Sequence, residues 1–235
     1  MNDVQALTFD VGGSVLDWQS PIRSVVGELA AARGAQVDPK RFALDWRAGM
    51  FRILASVRRG ELPWMNSDDM HRRALDELAG AYPQLTLSDE DRAELNRIWH
   101  RLPAWEDFPD AMERLRERYR VVVLTLLSFS MVVDCSRFAG LRWDGILSCE
   151  FLGHYKPEPE AYQAAARLLG LQPSQVMMVA SHTADLQAAG AAGLRTAYVQ
   201  PKLEEPDFPG WVEASADEFD LAVESFTELA DRLCG

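Results

Sequence analysis

The stretch "QALTFDVGGSVLDW", residues 5–18, leads an apolar segment directly into a carboxylate at Asp10 and then into Gly12 and Gly13. A short buried strand followed by a glycine turn is typical of an α/β domain, because glycine permits turns that other residues resist. Two interpretations are open at this point. Asp10 caps the turn, or it lies at the carboxyl end of a central strand, where open α/β sheets bind their ligands.

Three later segments have the same apolar character: "RVVVLTLLS" (120–128), "VMMVAS" (176–181) and "RTAYVQ" (195–200). Each follows a segment of helical period, and "DGILSCEF" (144–151) adds a shorter strand. Near-continuous apolar strands that alternate with amphipathic helices indicate a parallel sheet with both faces covered. The predicted fold class is therefore α/β, with a Rossmann-like parallel sheet as its core.

Residues 19–103 have a different pattern, since four segments of helical period follow one another without a strand signal. Ser or Asp stands near the start of these segments, where such side chains cap the first turn of a helix. We therefore predict a core domain, residues 1–18 and 104–235, interrupted by a helical cap domain, residues 19–103. The segment 201–210 is predicted to be a loop, and "SFTELADRLCG" (225–235) a closing helix.

Composition and charge exclude several classes of partner. The chain has 235 residues and a formal net charge of -12, and its Lys and Arg residues form no basic stripe, which disfavours nucleic acid. No apolar run approaches the ~18 residues of a membrane-spanning helix, and no secretory signal pattern precedes the first strand. Three scattered cysteines without a CxxC pair fit a reducing, cytoplasmic compartment. Because an acidic protein repels small anions, an anionic substrate requires cationic side chains at its site.

Polar side chains follow the predicted strands at the points where those strands end. Asp10 follows the first strand, Thr125 and Ser128 end the second, and Lys156 lies in "HYKPEPEAY". The fourth strand ends in "SHTAD", which supplies Ser181, His182, Thr183 and Asp185. Since the carboxyl ends of parallel strands meet at one edge of a sheet, we expect one crevice there. An aspartate, a lysine and a second acid in that crevice would shift one another's pKa.

Four motifs carry a resemblance to a known family in this order: Asp10 after an apolar strand, the polar end of the second strand in "TLLSFS" (125–130), Lys156 before a proline, and Asp185 after the fourth strand. The stretches that carry it most closely are "FDVGGSVLDW" (9–18), "GLRWDGIL" (140–147), "YKPEPEAY" (155–162) and "VMMVASHTADLQAAGAAGLRTAYV" (176–199). With their strand context they resemble the haloacid dehalogenase (HAD) superfamily, and within it the L-2-haloacid dehalogenase group. The resemblance covers nearly the whole chain, and the helical insert after the first motif is similar to the cap of that superfamily. It implies a hydrolase.

The resemblance also implies a mechanism. Asp10 would attack an electrophilic carbon and form an ester, which water would then hydrolyse at the aspartate carbonyl. Lys156 would keep Asp10 ionised, because a nearby cation lowers the pKa of a carboxyl group. Asp185 would orient Lys156 and help to activate the water. Asp10, Lys156 and Asp185 are therefore the predicted catalytic residues.

The residue at position 12 distinguishes the phosphatases of the superfamily from its dehalogenases. Its phosphatases carry a second aspartate two residues after the nucleophile, which protonates an alkoxide leaving group and helps to bind Mg²⁺. The residue in that place here is Gly12, which has no side chain to supply a proton. A halide leaves without a proton, so the resemblance favours a dehalogenase over a phosphatase. We expect no cofactor and no metal ion.

The chain departs from the dehalogenase pattern at two points. Residues 12–14 read Gly-Gly-Ser, where the group usually has a large aromatic residue, glycine and threonine, so space opens beside the nucleophile. The Ser-Asn pair of the group holds the substrate carboxylate and the leaving group. Here either Leu127 and Ser128 or Ser128 and Phe129 replace it. In both registers the asparagine is lost, and one such donor is worth ~2–4 kcal/mol in a transition state.

Seven positions are predicted to contact the substrate. Arg47, in the cap segment "DWRAGM" (45–50), stands where the group keeps an arginine for the leaving group or the carboxylate; a solvated helix arginine is the alternative. Trp18 lines the site or packs in the core, and His182 contacts substrate or bonds to the backbone. The full set is Gly12, Trp18, Arg47, Thr125, Ser128, His182 and Thr183.

Three functions remain open from the sequence. The first is hydrolytic displacement of a halide from a small 2-haloacid. The second is hydrolytic ring opening of L-azetidine-2-carboxylate, whose protonated ring nitrogen needs no general acid and would fit beside Gly12. The third is a non-catalytic binding protein with the HAD fold, which the retained Asp10, Lys156 and Asp185 disfavour. The expected partners are a small-molecule carboxylate, water and a second copy of the chain, with helix 68–82 as a candidate dimer interface.

Overall fold

The computed structural model describes residues 3–203 and 216–235. The strands in these residues are β1 (Ala6–Phe9), β2 (Arg120–Thr125), β3 (Gly145–Ser148), β4 (Val176–Ala180), β5 (Arg195–Val199) and β6 (Leu221–Val223). They form one parallel sheet in the order β3-β2-β1-β4-β5-β6. The predicted α/β class with a parallel core is confirmed. The end of β1 therefore lies between the ends of β2 and β4.

Helices cover both faces of the sheet and build the insert after β1. Those in the described residues are α1 (Gln19–Ala32), α2 (Pro39–Arg58), α3 (Ser67–Ala79), α4 (Asp89–Arg97), α5 (Phe108–Arg116), α6 (Phe129–Ala139), α7 (Cys149–Leu152), α8 (Pro159–Leu168), α9 (Thr183–Ala191) and α10 (Phe226–Cys234). Within residues 3–203 and 216–235, no helix is both long and apolar enough to span a membrane.

Helices α1 to α4 follow β1 and precede β2, as the sequence pattern predicts. Side-chain acceptors fix their first turns: Asp17 accepts from two backbone N–H groups of α1 at 3.0 Å, and Asp38 caps α2. Ser88 and Asp91 form a reciprocal capping box on α4. The domain limits at residues 18 and 103 stay predictions, as does the dimer interface on the helix after Asn66.

The structure differs from the sequence-based prediction at three strands. β3 ends at Ser148 rather than at residue 151, because the Ser148 side chain accepts the N–H of Glu150 and caps α7. β2 ends at Thr125 rather than near residue 128, because the Thr125 hydroxyl accepts the N–H of Leu127 at 3.1 Å and turns the chain out of the sheet. β6 was not predicted, because its three residues are too few for a periodic signal. The loop predicted at 201–210 falls outside the described residues from residue 204 onward.

His100 joins the cap to the core through two carboxylates. Its Nε2 lies 2.7 Å from Oδ1 of Asp68 in the cap, and its Nδ1 lies 2.7 Å from Oδ2 of Asp134 on α6. Because carboxylates only accept, this arrangement favours the imidazolium form, in which both ring nitrogens donate. The bond to Asp68 raises the pKa of His100, against the effect of burial, and Asp134 adds to the rise. Ser128 binds the same part of the cap, since its N–H donates to Ser67 Oγ at 2.6 Å and its hydroxyl donates to Asp68.

Candidate active site

The sheet topology brings four chain segments together at one edge. Asp10 directly follows β1, the central strand, and Thr125 ends the neighbouring β2. Residues 181–185 follow β4 on the other side of β1 and enter α9, whereas Lys156 lies in the connection between α7 and α8. The predicted crevice at the carboxyl ends of the strands is therefore present, and most of the predicted residues reach it.

Lys156 lies between two carboxylates. Its Nζ is 2.8 Å from Oδ1 of Asp10 and 2.7 Å from Oδ2 of Asp185. The side chains of Lys156, Asp10 and Asp185 are only 5%, 10% and 11% exposed. A buried charge is tolerated when it is paired and hydrogen-bonded. The ammonium thus holds the two acids in fixed positions.

The three charges control one another's ionisation. Burial would raise the pKa of Asp10, but the charge of Lys156 and the bond from His182 hold this pKa far below its usual range. Burial lowers the pKa of Lys156, yet the two carboxylates raise it above its ordinary value. Burial, opposed by Lys156 and reinforced by Asp10, raises the pKa of Asp185. Asp10 is therefore an ionised carboxylate beside the ammonium of Lys156.

Two further donors fix the second oxygen of Asp10. The hydroxyl of Ser14 donates to Oδ2 at 2.8 Å and accepts the N–H of Ser181 at 2.9 Å. Nδ1 of His182 lies 3.0 Å from the same Oδ2, and it donates because a carboxylate only accepts. The sequence prediction included His182 but not Ser14. A serine four residues after Asp10 gives little local signal, since serine is common in turns.

Gly13 makes room for the imidazole of His182. Its φ is +100°, a backbone conformation that side chains rarely adopt. A Cβ on Gly13 would lie 3.1 Å from Cε1 and 3.3 Å from Nε2 of His182, and 3.3 Å from Nε1 of Trp18. The second glycine of the pair therefore permits both the turn and the close approach of the ring.

Tyr162 contacts the candidate site, and the sequence prediction did not include it. It lies on α8, is fully buried, and its hydroxyl donates to Oδ1 of Asp185 at 2.5 Å. Lys156 and Tyr162 thus hold one oxygen each of Asp185. The signal was present in "YKPEPEAY", where the tyrosine follows the lysine by less than two helical turns, but an apolar helix face usually places such a ring in the core.

Arg47 reaches the site from α2 and is 5% exposed. The ring centres of Trp18, Phe51 and Trp99 lie 5.5, 4.9 and 5.4 Å from its guanidinium carbon. Aromatic faces attract a cation, so they offset part of the cost of burying its charge. Nη1 of Arg47 faces Nε2 of His71 at 3.5 Å. Burial and the charge of Arg47 lower the pKa of His71 to about 3, so this ring is neutral.

These groups surround a cavity of about 150 Å³. Its polar lining is Asp10, Arg47, Thr125, Lys156, His182 and Asp185. Its apolar lining is Gly12, Phe51, Leu126, Leu127, Pro157 and Ala184. Pockets for drug-sized ligands measure about 300–1,000 Å³, so this cavity suits a molecule of a few heavy atoms. An ionised carboxylate and a guanidinium face the same small volume.

Three predicted substrate contacts lie outside the cavity lining. The hydroxyl of Ser128 donates to Asp68 of the cap and accepts the N–H of Met131 at 3.2 Å. Trp18 stacks on Trp99 at 5.8 Å behind Arg47, and Thr183 is buried in the first turn of α9. Neither register that puts Ser128 in the second motif brings this residue to the cavity. Leu126 and Leu127 form that wall instead.

A metal ion has little room between the two acids. One bound by both Asp10 and Asp185 would compete with the Lys156 ammonium, which already lies within 2.8 Å of each. Among residues 3–203 and 216–235, no group of three or more His, Cys, Asp or Glu side chains is arranged to hold a metal. The expectation of a metal-independent site stays a prediction.

Comparison with known proteins gives consistent matches. The model of the family described as haloacid dehalogenase-like hydrolase matches residues 4–193. The (S)-2-haloacid dehalogenase 4A of Burkholderia cepacia is 27% identical over 219 residues, which cover 88% of each chain.

Two solved structures resemble this one over almost their whole length. An L-2-haloacid dehalogenase superposes with a TM-score of 0.88 at 34% identity, covering 98% of both chains. A defluorinating L-2-haloacid dehalogenase superposes with a TM-score of 0.89 at 31% identity, covering 99% of this chain and 96% of the other.

Proposed function

The chain belongs to the haloacid dehalogenase-like hydrolases, and from that premise we propose that it displaces the substituent at C2 of a small 2-substituted carboxylate through an ester on Asp10. The family and the relatives support a hydrolase of the 2-haloacid dehalogenase kind. A 2-haloacid is the substrate class that we favour.

One observation carries the proposal: the buried, ionised carboxylate of Asp10 faces a small cavity together with Arg47. A carboxylate held by Lys156, Ser14 and His182 is fixed for in-line attack on a bound carbon. The guanidinium of Arg47 suits either the substrate carboxylate or the departing halide, because both are anions. The net charge of -12 makes such a local cation necessary.

Gly12 favours a leaving group that needs no proton. A Cβ there would be 3.4 Å from Nη2 of Arg47 and 3.7 Å from Leu127, so the position faces the cavity but offers no acid. A phosphate ester would release an alkoxide, which requires a proton donor. A halide leaves as the free anion. The proposal is therefore a dehalogenase-type displacement rather than phosphoryl transfer.

A second substrate, L-azetidine-2-carboxylate, is supported by the wall formed by Leu126 and Leu127. These side chains offer no hydrogen-bond donor to a halide, whereas a protonated ring amine leaves without a halide-binding amide. Attack of Asp10 at C2 would open the strained ring, and hydrolysis of the ester would give an amino-substituted 2-hydroxyacid. Gly12 leaves space for the ring.

A single turnover in H₂¹⁸O, with enzyme in excess, tests the proposal on 2-chloropropionate and azetidine-2-carboxylate in parallel. Mass spectrometry of the peptide that contains Asp10 detects the label. Label in Asp10 with either compound supports the ester route and identifies the substrate class. Asp10→Asn is the matched variant, and we expect it to fold and to give no product. Absence of label and product with both compounds would favour a non-catalytic binding protein.

A further inference from the structure

The second half of the proposed reaction needs proton transfers that the first half does not. When water attacks the ester carbon of Asp10, it must lose a proton, and the alkoxide that departs must gain one. Displacement of a halide by water also releases one proton per turnover. Gly12 provides no acid for these steps, so another group beside Asp10 must exchange protons with both the site and the solvent.

His182 is the group whose position fits this requirement. Its Nδ1 is 3.0 Å from Oδ2 of Asp10, so it touches the reacting carboxylate directly. Its side chain is 31% exposed, whereas those of Lys156 and Asp185 are 5% and 11% exposed. The ring therefore extends from the buried nucleophile towards solvent. Imidazole gains and loses protons more readily near neutral pH than the other side chains.

The other groups around Asp10 are less suited to this task. The two neighbouring carboxylates raise the pKa of Lys156, so its ammonium keeps its protons. Each oxygen of Asp185 already accepts a bond, one from Lys156 and one from Tyr162, so activation of the water, which the resemblance implies for Asp185, falls to His182. Burial and the charge of Asp185 raise the pKa of Tyr162. Ser14 bridges Asp10 and the N–H of Ser181.

On the basis of the proposed function, we infer that His182 is the proton acceptor and donor that hydrolyses the ester on Asp10. When Asp10 becomes an ester, it loses the negative charge to which Nδ1–H of His182 donates. The neutral imidazole can then carry its proton on Nε2 and accept a proton from water at Nδ1. The water oxygen bonds to Cγ of Asp10 while a water proton passes to Nδ1. The bond from Cγ to the substrate oxygen then breaks, and the alkoxide takes that proton. The proton of the new carboxyl group leaves through His182 to solvent.

His182→Asn distinguishes two roles of this residue: holding Asp10 in position through a hydrogen bond, and transferring protons during hydrolysis of the ester. The Nδ2 of asparagine occupies nearly the place of Nδ1 and can still donate to Asp10, but an amide does not accept and return a proton. We therefore expect the first halide to be released at nearly the parent rate. Hydrolysis of the ester should slow by about 100- to 10,000-fold, the usual contribution of general acid–base catalysis.

Intact-mass spectrometry after rapid quench with 2-chloropropionate, and in parallel with azetidine-2-carboxylate, measures the ester directly. We expect the adduct on Asp10 to accumulate in His182→Asn and not in the parent protein. His182→Ala is the second variant, in which added imidazole should restore hydrolysis, because solvent reaches this position. His154→Asn, at a half-exposed histidine outside the cavity, is the matched control and should behave as the parent.

The outcomes separate this role from the proposed function. If His182→Asn turns over at the parent rate without adduct, or fails to release the first halide while folded, the proton-transfer role is refuted and the dehalogenase proposal stands. If the parent protein itself forms no ester and no product from either compound, the proposed function fails and the role of His182 fails with it.

Discussion

Gly13→Ala tests whether the second glycine positions the site. The alanine must adopt φ +100°, and a residue held in such a sparsely populated region costs about 1–3 kcal/mol. Its Cβ would also lie 3.1 Å from Cε1 of His182 and 3.3 Å from Nε1 of Trp18. This is tighter than an ordinary contact, so the more exposed ring of His182 moves by a few tenths of an ångström.

The expected effect has two parts. The backbone strain lowers the melting temperature by roughly 2–12 °C, since 1 kcal/mol corresponds to about 2–4 °C for a chain of this size. Displacement of His182 weakens its bond to Asp10, and loss of a bond to a charged group costs about 1.5–3 kcal/mol. Turnover should therefore fall by about 10- to 100-fold. Thermal melts and halide release measure the two effects separately.

Gly140→Ala is the matched control. Gly140 ends α6 with φ +69°, and no atom lies within 4 Å of the added Cβ. An alanine at this position has the same kind of backbone strain, from a positive φ, but makes no contact with the site. We therefore expect a lower melting temperature and unchanged turnover. Full activity in Gly13→Ala, or a melting temperature equal to that of the parent, would refute the assigned role of the glycine.

Four further results are expected. Lys156→Met leaves two buried acids without their cation, which costs about 3–5 kcal/mol and raises the pKa of Asp10; turnover at neutral pH and the urea midpoint should both fall. Tyr162→Phe releases one oxygen of Asp185, and loss of this charged bond, about 1.5–3 kcal/mol, should lower kcat by roughly 10- to 100-fold with KM little changed. The pKa of His100 is raised above 6.5 in the folded state, so its contribution to stability is complete below that pH and is lost as pH rises through the folded-state value; urea titrations should show this decline in the parent and not in His100→Gln. Dialysis against EDTA should leave turnover unchanged, because an ammonium already bridges the two acids.

The topology and the charged centre follow from local sequence patterns. Continuous apolar strands between amphipathic helices specify a parallel sheet, and polar residues at strand ends must then converge. This reasoning predicts that Asp10 and Asp185 lie together, as the structure has them, whereas the place of Lys156, which lies between two helices, is inferred from the resemblance to the family motifs. The convergence of strand ends follows from the parallel topology alone, whatever the orientation of each side chain.

The remaining features depend on contacts between distant segments. The apolar run after residue 120 continues past the end of β2, so periodicity alone could not show that Leu126 and Leu127 line the cavity. Ser128 follows a strand as the cavity-lining residue Asp10 does, but its hydroxyl bonds to Asp68, 60 residues away. Tyr162 has the pattern of a core residue, and only its bond to Asp185 connects it to the candidate site.

The attachment of Ser128 to the cap limits how far the two parts of the chain can be exchanged between relatives. Ser67 and Asp68 at the start of α3 both bind Ser128, which directly follows the cavity wall at Leu127. A chimera whose helical insert lacks Ser67 and Asp68 would lose these bonds and let the wall shift. Replacing the insert therefore requires that residues 126–128 be exchanged together with it, because the two segments are hydrogen-bonded to each other.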